Sequence, residues 1–83
     1  MYTEVERYNE LVTRLASGLW LHVSFCYDRP KMETIVDALC VSTEDGSLVC
    51  PVHDYNEIDM LIKSHIRRYS EKMEDLYVQG RFA

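Results

Sequence analysis

The sequence predicts a small α+β domain, a two-layer sandwich in which two helices cover a three-stranded antiparallel sheet in α-β-β-β-α order. Three observations predict this class. Apolar residues recur at helical spacing near both ends of the chain, residues 19–27 alternate between two sets of side chains, and turn residues separate the apolar stretches in the middle. The chain has 83 residues, 47% of them hydrophobic, which suits a single domain over residues 1–83.

The first helix is predicted over residues 4–16. Thr3 and Glu6 have the spacing of a capping box, and Gly18 suits the position just after a helix. The apolar residues at helical spacing are Val5, Tyr8, Leu11, Val12 and Leu15.

Three strands are predicted to follow, over residues 19–27, 32–42 and 47–52. Residues 32–42 also fit a helical stripe, but a helix there would leave only a two-stranded hairpin, so a strand is preferred. Asp45 and Gly46 form a typical hairpin turn before the third strand. In the first strand one alternating set faces the core and the other faces outward: Leu21, Val23 and Phe25 inward, and Trp20, His22, Ser24 and Cys26 outward.

The second helix is predicted over about residues 55–78. Asp54 and Glu57 have capping-box spacing at its start, and Gly80 ends it. Its apolar stripe consists of Ile58, Leu61, Ile62, His65, Ile66, Tyr69, Met73, Leu76 and Tyr77.

The second and third predicted strands are apolar on both faces, whereas a sheet with one solvated face alternates more cleanly. The excess of apolar residues on the second face predicts that a protein partner or a second copy of the chain covers that face. The alternatives are that residues 80–83 or part of the second helix fold over it, or that a bulge changes the register.

The net charge is −5, from 14 acidic and 9 basic residues, which argues against direct nucleic-acid binding. The acids concentrate on the predicted turns and at the start of the second helix, where they would face a basic partner, with Trp20 as an aromatic anchor. The predicted partner-binding residues are Asp28, Glu44, Asp45, Asp54, Glu57, Asp59 and Trp20.

Catalysis, cofactors and metals are not predicted. The odd count of three cysteines and the absence of a CxxC pair favour reduced thiols in a cytoplasm. The densest reactive run places Cys50 three residues before His53, so a small thiol or zinc site is kept as an alternative. We also expect no membrane segment and no secretory signal, since the apolar runs are too short and the N-terminus is acidic.

The predicted layout is similar to that of double-stranded RNA-binding domains, which carry a lysine-rich cluster at the start of their second helix. Here Asp54, Glu57 and Asp59 occupy that region, which argues against RNA binding. In size, charge and layout the chain resembles phage-encoded inhibitors, including anti-CRISPR proteins, in which acids occupy a nucleic-acid groove. The sequence therefore predicts a non-catalytic acidic module that blocks a nucleic-acid-handling protein. The alternative is a structural or regulatory homodimer that pairs through its sheet face.

Overall fold

The computed structural model describes the backbone of residues 2–78 and the side chains of residues 2–76. The predicted stop at Gly80 and the predicted tail over residues 80–83 lie outside this range. The fold is a small α+β domain with one antiparallel sheet in the order β1-β2-β3-β4, followed by a helix. The elements are β1 (Val5–Arg7), β2 (Glu10–Arg14), β3 (Trp20–Asp28), β4 (Glu33–Ser42) and α1 (Tyr55–Val78).

The predicted first helix is wrong, because residues 5–14 form the hairpin β1-β2. β2 pairs with β1 on one side and with β3 on the other, and it buries side chains on both faces. Leu11 faces α1, whereas Val12 lies on the opposite face beside His22. Consecutive buried residues also occur at the i+3 and i+4 positions of a helical stripe, so the spacing wrongly predicted a helix here.

The predicted third strand over residues 47–52 is also wrong. Among the described bonds, this segment is hydrogen-bonded to the sheet only at its start, where Leu48 bridges Ser42 and the Val49 N–H donates to the Val41 carbonyl at 2.8 Å. Thr43, Asp45 and Ser47 form hydrogen bonds within the preceding loop. The sheet therefore has four strands, two of them from the region predicted to be the first helix, and the order is not α-β-β-β-α.

β3 and β4 confirm the strands predicted over residues 19–27 and 32–42, and their register confirms the predicted faces of β3. Leu21, Val23 and Phe25 are buried beneath α1, and the alternate residues lie on the other face, which we call the open face. A bulge at Asp37 shifts the register between Ser24 and Phe25. β1 and β4 are the two edge strands.

Helix α1 confirms the predicted second helix over its described length. It packs against β3 and β4 and completes one hydrophobic core, to which it contributes Ile58 and Met73. In the part of the chain that the structure describes, α1 is the one helix of membrane-spanning length, and it is too polar to be a candidate span.

Candidate functional site

The acids at the start of α1 are engaged within the molecule. The Glu57 carboxylate accepts the backbone N–H of Ala16 at 2.9 Å, and Asp54 accepts the hydroxyl of Ser17 at 3.4 Å. Asp59 forms an exposed i,i+4 ion pair of 2.9 Å with Lys63. Asp54 and Glu57 therefore attach the first turn of α1 to the β2-β3 connection instead of forming the predicted reciprocal cap.

The two acids of the loop after β4 also have intramolecular partners. Glu44 pairs with Arg14 on β2, and Asp45 accepts hydrogen bonds from the Thr43 hydroxyl and the Ser47 N–H. These bonds, led by the one from Thr43, lower the pKa of the Asp45 carboxyl, which is fully exposed to solvent. The two residues shape the loop, and their predicted role in partner binding stays a prediction.

Trp20 is only 5% exposed and lies inside a cluster on the open face. Its indole N–H donates to Glu44 at 3.4 Å, the Arg14 guanidinium lies 5.1 Å from its ring centroid, and the Tyr2 ring packs against it at 5.7 Å. A partner that used Trp20 as an anchor would first displace Tyr2 or Arg14.

The remaining predicted acid, Asp28, lies beside two acids that the sequence reasoning did not select. Asp28 is directly opposite Glu33 at the end of the β3-β4 pair, and Asp37 occupies the bulge of β4. Partial burial raises the pKa of the neighbouring Cys26 thiol, and the negative charges of Asp37 and then Asp28 raise it further. The structure thus places Glu33 opposite Asp28 and brings Asp28 and Asp37 near one thiol, and we call Asp28, Glu33 and Asp37 the hairpin acids.

The hairpin acids were detectable in the sequence. Pairing the two strands across the turn at residues 29–32 places Asp28 opposite Glu33, and both charged residues of β4 are acidic. Arg7, Arg14, Lys63 and Arg68 supply the cations of the described ion pairs, while Arg29 and Lys31 lie in the turn between Asp28 and Glu33. Like charges directly opposite each other destabilise a strand pair, so we expect Asp28 and Glu33 to repel each other.

Among the described residues, no further strand pairs with the outer edge of β4 beside the hairpin acids. On the side of β3 that faces the β1-β2 hairpin, the Phe25 N–H donates to the Asn9 carbonyl. On the outer side of β4, the Val41 carbonyl accepts the Val49 N–H. In an antiparallel pair, successive residues direct their backbone N–H and C=O groups alternately toward and away from the partner strand. The β4 residues whose side chains face α1 therefore direct these groups away from β3. These residues include Thr34, Val36 and Leu39, and the described contacts of the following loop reach only the last two residues of β4.

The open face of the sheet is covered in part. The Tyr2 ring packs edge-on against His22 at 4.5 Å, and the His22 Nε2 lies 3.0 Å from the Ser42 hydroxyl. Toward β4, Ala38 and Cys40 remain exposed. Homodimer pairing through this face stays a prediction.

The structure does not assemble a metal or thiol centre from the described residues. Cys40 and Cys50 are exposed free thiols and Cys26 is half-buried. Among residues 2–76, no group of three or more His, Cys, Asp or Glu side chains is placed to hold a metal ion.

Two solvent-open cavities, of about 290 and 190 Å³, flank the β1-β2 hairpin. The smaller one lies between this hairpin and α1 and is lined by Thr13, Ser64 and His65, with the Glu6–Arg68 ion pair beside it. His65 is 3% exposed, and neither of its ring nitrogens has a hydrogen-bond partner within ordinary geometry.

Comparison of the chain with protein-family models, with curated proteins and with solved structures yields no match.

Proposed function

We propose that this chain is a non-catalytic protein-binding module that holds a basic surface of its partner against the hairpin acids. The observation that carries the proposal is the placement of three acids on the β3-β4 pair, with Asp28 opposite Glu33 at its end and Asp37 at the bulge of β4. A cation placed between Asp28 and Glu33 would relieve their mutual repulsion, so a basic partner gains more from this site than from isolated surface acids.

The net charge of −5 supports the same partner class. A negative field steers basic proteins toward the molecule and repels nucleic acid, and the acids engaged within the fold still contribute to that field. The predicted inhibitor of a nucleic-acid-handling protein is one form of this proposal, since such proteins carry basic grooves.

The proposal is tested with fluorescent lysine-rich peptides, each paired with a glutamate-substituted counterpart, near 0.15 M salt, where the Debye length is about 8 Å. The variant Asp28→Asn, Glu33→Gln, Asp37→Asn removes the hairpin acids. We expect it to bind the basic peptides about tenfold more weakly, because three exposed charge pairs together contribute about 1.5 kcal/mol.

The matched control is Glu71→Gln, Glu74→Gln, Asp75→Asn, which changes the net charge by the same amount on an exposed part of α1. We expect the control to bind nearly as well as the original chain. Equal weakening in both variants would show attraction by net charge alone and would contradict the proposal. Circular dichroism and thermal melts establish that each variant is folded.

A further inference from the structure

The outer edge of β4 lies beside the hairpin acids and has backbone groups that point away from the sheet. The residues Thr34, Val36 and Leu39 point their backbone N–H and C=O groups away from β3, where an additional strand would pair with them. Val36 and Leu39 are 37% and 42% exposed although they face the helix side of the sheet. An open edge with exposed apolar residues is a site for strand addition.

The two faces along this edge differ in chemistry. On the helix side lie Val36 and Leu39, and by helical spacing the half-buried Ile62 and Ile66 of α1 flank the β4 side of the core. On the open face lie Glu33 and Asp37, the only charged residues of β4, with Asp28 directly opposite Glu33. An added strand would therefore meet apolar side chains on one face and carboxylates on the other.

A second copy of this chain is a poor occupant of the edge. Antiparallel pairing of two β4 strands in a register centred on Ile35 places Glu33 of each copy opposite Asp37 of the other. The bulge at Asp37 also interrupts the regular edge, a device that limits unselective pairing of edge strands. Charge complementarity instead favours a basic segment.

We infer that β4 accepts an extended partner segment in which basic and apolar residues alternate, added to the sheet as a fifth strand. The apolar residues of the segment pack beside Val36 and Leu39, and its basic residues reach the hairpin acids. This inference rests on the proposed function and names the class of partner. Main-chain hydrogen bonds supply affinity in this binding mode, and the alternating side chains supply specificity.

The test compares two peptides of identical composition, length and charge, each about as long as the open part of β4. One alternates lysine and valine, and the other carries them in blocks of two, so that both of its faces are mixed. We expect the alternating peptide to bind at least about fivefold more tightly, since only it matches both faces at once. Equal binding of the two peptides would overturn the inference while leaving the proposed function intact.

A third peptide tests the backbone pairing directly. In an antiparallel addition, the peptide residues that point their N–H groups toward β4 lie opposite Val36 and Leu39, and these are its valines. N-methylation of the valines removes those donors, and we expect at least about tenfold weaker binding, whereas N-methylation of the lysines is tolerated.

The remaining outcomes also decide between the hypotheses. Loss of binding on methylation of lysines instead would show parallel addition, and insensitivity to either methylation would overturn strand addition. If no basic peptide binds in any form, the proposed function itself fails. Light scattering of the peptide-free chain tests whether a second copy occupies the edge. A dimer that persists at high salt and is lost on substitution of Val36 and Leu39 by Asn would assign the edge to a second copy and overturn the inference.

Discussion

His65 is a buried imidazole whose surroundings favour its neutral form. Its ring stacks on Phe25 at 4.4 Å and contacts Tyr69 at 4.7 Å. Burial lowers the pKa of His65, and the nearby backbone carbonyls of Arg7 and Tyr8 oppose this effect only in part. The other charged groups near the ring are Glu6 and Arg68, which pair with each other at the adjacent cavity.

The lowered pKa of His65 predicts a loss of stability in mild acid. The unfolded chain takes up a proton as the pH falls through about 6.5, whereas the native ring stays neutral to a lower pH. Unfolding therefore becomes easier as the pH falls below about 6.5, by at most about 1.4 kcal/mol per pH unit from this group.

His65→Phe removes this dependence and the two unpartnered nitrogens. We expect the variant to be more stable by about 1 kcal/mol near neutral pH and by a larger margin near pH 5.5. Urea unfolding at both pH values measures the difference, and a margin that does not grow in acid would contradict the assignment.

Glu33 lies in the proposed partner-binding site, where we expect its repulsion from Asp28 to lower the stability of the fold. Because it lies opposite Asp28, Glu33→Lys converts a repulsive cross-strand pair into an attractive one. We expect the free energy of unfolding to rise by about 0.5 kcal/mol while the affinity for basic peptides falls. Urea unfolding and peptide titration of the same sample measure both effects, and lower stability would count against a repulsive pair.

The start of α1 depends on contacts with the β2-β3 connection. Glu57 accepts the Ala16 N–H, whereas Asp59, two residues later, makes only an exposed ion pair with Lys63 among the described bonds. We expect Glu57→Ala to lower the free energy of unfolding by about 1 kcal/mol and the control Asp59→Ala to lower it by less than about 0.5 kcal/mol. Equal effects in thermal or urea unfolding would show that the Ala16 bond contributes nothing beyond ordinary surface charge.

The elements that could be predicted from the sequence are those with a single unambiguous period. β3 alternates buried and half-buried side chains along its length, and α1 keeps one apolar stripe for several turns. β2 could not be identified in this way, because the faces of Leu11 and Val12 are both covered and adjacent buried residues resemble a helix. Residues 48–52 resemble a strand in sequence because they are apolar. Val49 and Val52 pack against the core, but the segment forms only one isolated bridge with the sheet.

The candidate site was predictable only in part for a related reason. Acid content pointed to a partner of opposite charge, but only the structure shows that Glu44 and Glu57 bond within the fold, while Glu33 lies opposite Asp28 and Asp37 occupies the bulge of β4. Pairing across strands depends on long-range contacts, and the composition of a segment does not report them.

Over the described residues, unpaired backbone and acidic side chains coincide at β4, the binding region that we propose. α1 covers one face of the sheet, Tyr2 covers part of the other, and β1 is a short edge of three residues tied to α1 by the Glu6–Arg68 pair. β4 is a ten-residue edge that carries Glu33, Asp37 and the exposed Val36 and Leu39. The proposed partner would therefore meet backbone, apolar and acidic groups together along β4.

Hydrogen exchange of the β4 amides, measured by NMR with and without the alternating lysine–valine peptide, tests this conclusion most directly. Strand addition predicts that the outward amides of Thr34, Val36 and Leu39 become protected when the peptide binds, while the amides of the β1 edge do not change. Binding that leaves these three amides unprotected, or that protects β1 instead, would contradict the assignment of β4 as the binding edge.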